Sequence, residues 1–268
     1  MMEYFLQLEP WQQALAATII TWTTTGLGAA FVFLTKEVNE RFLNTMLGFA
    51  GGVMIAASFW SLLSPAIEAS ADHPVGEWFP PAVGFLLGAL FIYGFDKLIP
   101  HAHRNSKRSE GWNPDRHRRS TLLVFSLTLH NIPEGLAVGI AFGAAVHGDA
   151  VIAASAATLA LGIAIQNIPE GTAVSMPLRG DGMSRTKSFF WGWMSGIVEP
   201  IAAVVGVLTV AYMEPVLPYA LSLAAGAMIF VVVEEVIPST QKNGHSDIAV
   251  FSLMFGFVLM MILDVALG

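Results

Sequence analysis

Long apolar runs alternate along this chain with short polar breaks. A helix that crosses hydrocarbon needs about 20 mostly apolar residues. Eight runs approach or exceed that length, at roughly 11–34, 43–68, 80–99, 120–146, 149–178, 186–211, 217–238 and 247–266. Several contain Gly or Pro, which membrane helices tolerate where neighbouring helices satisfy the freed backbone groups. The expected fold class is all-α, a polytopic membrane protein with eight transmembrane helices in a single domain spanning 1–268. The longest break, 100–119, is polar and basic and reads as a cytoplasmic loop within that domain.

Composition supports the membrane class. Hydrophobic residues make up 54% of the 268 positions, charged residues only 12%, and the mean hydropathy is +0.62. Soluble domains carry about 25% charged residues. There is no cysteine, which excludes disulfides and thiolate metal sites. The opening MMEYFLQLEP has no basic stretch leading into an apolar run, so no cleavable signal peptide is expected.

All 13 Lys and Arg residues fall in odd-numbered connections: Lys36 and Arg41; Lys97, Arg104, Lys107, Arg108, Arg116, Arg118 and Arg119; Arg179, Arg185 and Lys187; and Lys242. The even-numbered connections and the termini carry acids such as Glu9, Asp72, Glu77 and Glu214 instead. Basic residues stay on the cytoplasmic side. Both termini are therefore expected outside, in a multi-pass protein of the cell membrane.

Polar residues inside the spans carry the chemistry. The segments LHNIPEGLAVG (129–139) and IQNIPEGTAVS (165–175) place an Asn-Ile-Pro-Glu-Gly box in the middle of spans four and five. Glu134, Glu170 and Glu199 lie deep in their spans, and no Lys or Arg lies beside them. A lone ionised carboxylate in hydrocarbon costs at least ~2.5 kcal/mol. These groups are either protonated or joined by something positive. His130 and Glu134 are four residues apart and share a helix face, as do Gln166 and Glu170; Asn131 and Glu134, and Asn167 and Glu170, are three apart and also meet. The two boxes sit at similar depth in oppositely directed spans, a pattern of transporters with midplane sites. Pro133 and Pro169 each remove a helix hydrogen bond and are expected to kink their helices one turn earlier.

An imidazole, several carboxylates and the thioether of Met54 in span two suit a first-row divalent ion better than Mg²⁺ or Ca²⁺. Zn²⁺ is the expected substrate, with Cd²⁺, Fe²⁺ and Mn²⁺ as alternatives and no organic cofactor. The candidate metal residues are Met54, His130, Asn131, Glu134, Gln166, Asn167, Glu170 and Glu199. Glu68 and Asp264 at outer span ends are candidates for an entrance. Glu234 and Glu235 at the inner end of span seven, with His101 and His103 in the basic loop, are candidates for an exit. Two other readings compete: an intramembrane zinc metalloenzyme and a proton-coupled organic-cation carrier. The first is weakened by the missing His-Glu-x-x-His motif and a single deep histidine. Bound-metal analysis separates the second.

HNIPEG in span four, QNIPEG in span five, VEP in span six, VVEEVIP in span seven and GFAGGVMIAASFWSLLSPAIEAS in span two together resemble the ZIP (Zrt/Irt-like) divalent metal transporters, in particular their prokaryotic GufA-like branch. The resemblance covers the chain from about residue 42 to its end. It implies one ZIP-type transmembrane domain that moves metal, usually zinc, from outside or periplasm into the cytoplasm. It also implies eight spans with both termini outside, and a homodimer in the bilayer with no nucleic-acid partner. The family's binuclear centre would map its first position onto Met54, His130, Glu134 and Glu170. Its second would fall on Asn131, Glu134, Asn167, Glu170 and Glu199. In the family pattern the position of Asn167 is an aspartate and that of Glu234 is often a histidine, which favours Glu235 over Glu234 at the exit.

Overall fold

A computed structural model describes residues 5, 7–34, 39–98, 116–145, 150–180, 182–212, 214–241 and 247–267, without the side chains of 95–98, 116–123, 125–127, 130, 150, 211, 212 and 214. Every regular element among the described residues is helical. We label them α1 (Pro10–Ala29, with a short continuation at Phe31–Leu34), α2 (Glu40–Glu68), α3 (Phe79–Leu98), α4 (Arg116–Ala144) and α5 (Ala150–Gly180). They continue with α6 (Arg185–Met194 and Val198–Tyr212, joined by a 3-10 turn at Ser195–Ile197), α7 (Leu217–Thr240) and α8 (Asp247–Leu267).

Among the described residues, six rods are long and apolar enough to cross a membrane, and Phe79–Gly94 is a shorter apolar helix. Large apolar side chains point outward from the bundle: Phe251, Val265 and Phe255 are 74%, 72% and 64% exposed. Buried polar groups gather inside, including Thr18, Thr21, Thr25, Asn131, Glu134, Gln166, Asn167 and Glu199. In hydrocarbon every polar group must find its partner within the protein. This inside-out distribution is the outcome.

The helices sort into two sets. α1, α4, α5 and α6 pack together, with α1 against α5 and α4 against α6 as the closest pairs; α2, α3, α7 and α8 form the second set, with α2 against α8 and α3 against α7. The sets meet where α2 touches α5 and α4 touches α7. Glycines set the close pairs. A Cβ on Gly139 would fall on the Ala203 backbone of α6, and one on Gly171 would fall on the Thr25 carbonyl of α1. Van der Waals packing through small residues drives helix association in lipid.

Two irregularities in the rods have a common cause. α2 widens into a π-turn at Ser58–Leu63, and α7 does so at Val232–Val236. Each π-turn closes with an i−5 bond, Ser64 N–H to Phe59 O and Ile237 N–H to Val232 O, and the next residue is Pro65 or Pro238. Proline supplies no N–H and its ring crowds the preceding turn, so the chain expands just ahead of it. Such bulges recur at functional sites. Pro133 and Pro169, by contrast, are carried inside uninterrupted helices. In α6 the expected span 186–211 is one continuous rod, Arg185–Val210, that tightens into a 3-10 turn at Ser195–Ile197 just ahead of Glu199.

Candidate metal centre

The two repeated boxes converge between α4 and α5 and recruit α1 and α6. On one side, Gln166 donates its Nε2 amide to Glu134 Oε1 at 2.6 Å and, more weakly, to Glu170 Oε1 at 3.5 Å. Glu134 is fully buried, and its carboxylate faces that of Glu170. Two facing carboxylates need a proton between them or a cation.

On the other side stands Glu199. Its Oε1 accepts from Asn131 Nδ2 at 3.0 Å and from Asn167 Nδ2 at 2.9 Å. Its Oε2 accepts from Asn167 Nδ2 at 2.9 Å and from the hydroxyl of Thr21 on α1. Asn167 Nδ2 also reaches the Thr21 carbonyl at 3.0 Å. One N–H of Asn167 therefore serves Thr21, and the other is shared across the carboxylate. α1 and α6 are clamped nearby, where Trp22 stacks on Trp193 at 5.1 Å and donates its indole N–H to the Trp193 carbonyl at 2.9 Å.

These bonds fix which way the amides point. Turning Asn167 over would set its oxygen against three acceptor oxygens, and turning Gln166 over would set its oxygen against two carboxylates. With the amides held, three buried oxygens of these groups have no hydrogen-bond partner among the described residues: Glu134 Oε2, Gln166 Oε1 and Asn167 Oδ1. Buried polar atoms are nearly always paired. Orphaned oxygens of this kind are donor atoms suited to a divalent ion.

The structure thus joins Asn131, Glu134, Gln166, Asn167, Glu170 and Glu199. Among the described residues, Met54, Glu68, Asp264 and Glu234 make no hydrogen bond to this group. Met54 is buried in the apolar core, with its carbonyl accepting from Ser58 Oγ at 2.8 Å. Among the described residues, no three His, Asp or Glu side chains form a metal cluster by themselves. His130 lies in α4, with its side chain outside the described set; His101 and His103 also lie outside it. Glu68 is exposed, whereas Asp264 is buried and accepts from Ser61 Oγ at 2.5 Å, leaving Oδ2 without a partner among the described residues. Glu234 is exposed and Glu235 half-buried, both in the α7 π-turn.

Sequence reasoning missed Thr21 and Ser61. The signal for Thr21 was a buried hydroxyl face on α1, Thr18, Thr21 and Thr25, at helical spacing. Ser61 carried no comparable signal.

An all-helical bundle with lipid-facing apolar surfaces and a carboxylate–amide centre in its interior defines a polytopic membrane protein of the transporter class. Comparison with known proteins narrows this. The family model described as "ZIP Zinc transporter" matches residues 8–118 and 113–264. "Zinc transporter ZIP11" of Homo sapiens is 38% identical over 333 aligned residues, covering 96% of this chain and 97% of the relative. "Zinc transporter GufA" of Myxococcus xanthus is 37% identical over 258 residues, with 95% and 98% covered, and "Zinc transporter ZIPB" of Bordetella bronchiseptica is 41% identical over 248, with 91% and 78% covered. The chain belongs to the ZIP family, in a prokaryotic GufA-like branch, and is a metal-transporting membrane protein rather than an enzyme.

Proposed function

We propose that this protein carries a divalent first-row cation, zinc foremost, from the outside or periplasm into the cytoplasm. The ion passes through a mid-membrane seat on α4 and α5, in a chain of eight spans with both termini outside. The observation that carries this reading is the pair of facing carboxylates, buried Glu134 and half-buried Glu170, together with the partnerless oxygens of Glu134, Gln166 and Asn167. A cation satisfies all of them at once. His130 adds the imidazole that favours zinc over Mg²⁺ or Ca²⁺, and Met54 adds a thioether from α2. The ion enters past Glu68 and Asp264 and sheds water onto the carboxylates. It leaves past Glu235 toward the basic loop, where His101 and His103 receive it. Glu134, Glu170 and Glu199, with Asn131 and Asn167, would supply the binuclear arrangement implied by the family resemblance. The protein works in the cell membrane as a homodimer.

Metal flux into liposomes tests this, comparing Zn²⁺, Cd²⁺, Fe²⁺ and Mn²⁺ on purified protein. Saturable zinc uptake that collapses in His130→Ala and Glu170→Ala is the expected result. Undiminished zinc flux in both variants, or flux of organic cations without bound metal, would overturn the reading.

A further inference from the structure

Helix α1 carries none of the candidate ligands, yet it borders the centre. It holds five threonines: Thr18, Thr21, Thr23, Thr24 and Thr25. Thr18, Thr23, Thr24 and Thr25 return their hydroxyls to carbonyls three or four residues earlier in the same helix, the ordinary way for a threonine inside a helix to satisfy its hydroxyl. Thr21 departs from this. Its hydroxyl has the Thr18 carbonyl at 3.0 Å, and it also meets Oε2 of Glu199 on α6. One hydrogen cannot serve both fully, and a carboxylate is the stronger acceptor. The backbone of the same residue reaches a second group: the Thr21 carbonyl accepts from Asn167 Nδ2 on α5 at 3.0 Å. Asn167 is thereby held at its nitrogen end, and its Oδ1 is left without a partner among the described residues. Glu199 receives three hydrogens, from Asn131, Asn167 and Thr21. Both its oxygens have partners before any ion arrives, and of about four lone-pair directions one remains for an ion. The fit around it is close: a Cβ on Gly196 would stand 2.9 Å from Glu199 Oε1. α1 is itself seated against backbone, since a Cβ on Gly28 would fall on the Ile168 carbonyl of α5.

We propose that Thr21 is a positioning residue of the metal centre. Its hydroxyl aims Glu199 and its carbonyl aims Asn167, so that each turns a free oxygen lone pair toward the ion. A helix without a ligand thereby sets the geometry of ligands on two others. The stiff side-chain torsion of a β-branched residue suits threonine to this task. Thr21 touches no ion and acts through Glu199 and Asn167. Partners that orient a metal's ligands are worth about ten- to a hundredfold in affinity. The inference rests on the transport reading and deepens it.

The test compares Thr21→Val, which keeps the shape and removes the hydroxyl, with Thr21→Ser, which keeps the hydroxyl. Thr23→Val on the exposed face of α1 is the control. Each full-length protein is dialysed to equilibrium against Zn²⁺ for its Kd and assayed in liposomes for the KM and maximal rate of zinc flux. Thr21→Val should raise both Kd and KM about tenfold and leave the maximal rate per folded protein near wild type. Thr21→Ser should restore both constants, and Thr23→Val should leave them unchanged. In a Glu199→Ala background, which has no carboxylate to aim, Thr21→Val should weaken zinc binding no further. If Thr21→Val does not purify as a folded species, Thr21→Ala takes its place with the same expectation. A wild-type Kd and KM in the variant lacking the hydroxyl would overturn the positioning role and leave the transport reading standing. So would a further tenfold loss of binding in the Glu199→Ala background, or a loss that Thr21→Ser does not repair. No bound zinc and no flux in the wild-type protein would overturn the transport reading itself.

Discussion

Replacing Gly171 by alanine adds one methyl group at a close approach between α1 and α5. That Cβ would stand on the Thr25 carbonyl oxygen, with the Thr25 carbonyl carbon and the Ala29 nitrogen each 2.9 Å away, where ordinary contact begins at 3.4 Å. All three atoms are backbone, so no side chain can swing aside. The interface is reciprocal: a Cβ on Gly28 would meet Ile168 Cα at 2.9 Å. The helices must separate by roughly 0.5–1.5 Å. Overpacking of this kind costs about 1–3 kcal/mol. The same separation stretches the 3.0 Å bond from Asn167 to the Thr21 carbonyl past hydrogen-bonding range, which adds about 1 kcal/mol. A total near 2–4 kcal/mol corresponds to a thirty- to several-hundred-fold shift in an equilibrium.

The control is Gly94→Ala on α3, where an added Cβ meets nothing within 4 Å. Both variants are purified in detergent, melted by tryptophan fluorescence and assayed for zinc flux. Gly171→Ala should melt several degrees lower and transport at a small fraction of the wild-type rate, while Gly94→Ala matches wild type. If the two variants melt and transport alike, the close approach of α1 and α5 does not set the geometry of the centre, and the reasoning fails.

Gln166→Leu keeps the bulk but removes the amide that donates to Glu134 at 2.6 Å and supplies a partnerless oxygen. The zinc KM should rise about tenfold or more, and an unchanged KM in liposome flux would exclude Gln166 from the seat. The chain has no cysteine, so single introduced cysteines report topology without further engineering. An impermeant maleimide should label Asp72→Cys in intact cells and Ser106→Cys only after permeabilisation; the reverse pattern would refute the placement of both termini outside.

What was legible in the sequence followed from solvent. The apolar runs at 217–238 and 247–266 became helices at Leu217–Thr240 and Asp247–Leu267, because hydrocarbon allows few alternatives to a helix and hydropathy marks where it stops. The polar boxes stood out for the same reason. Backbone rearrangements were less visible. The π-turns of α2 and α7 depend on how each helix accommodates a proline, yet Pro133 and Pro169 sit in helices that continue unbroken. Proline alone does not decide between bulge and continuity; the packing around it does. The 3-10 turn at Ser195–Ile197, just ahead of Glu199, left no mark on a run that reads as one span and is one. Thr21 acts on a carboxylate 178 positions away, a separation that no local periodicity encodes.

The repeated box shows why similar segments need not do similar work. Asn and Glu three residues apart lie about 60° apart around a helix and ~4.5 Å apart along it, so one face offers two separate contacts. In this fold the two asparagines converge on Glu199 while the two glutamates face each other. The asparagine pair closes its acceptor with N–H groups, and the glutamate pair keeps a carboxylate oxygen, Glu134 Oε2, with no partner among the described residues. A centre in which every oxygen was satisfied from within would hold an ion weakly. One in which none was satisfied would not assemble without the ion. Dividing the polar groups between a closed half and an open half lets the bundle fold before its cargo arrives and still leaves a reason for the cargo to bind.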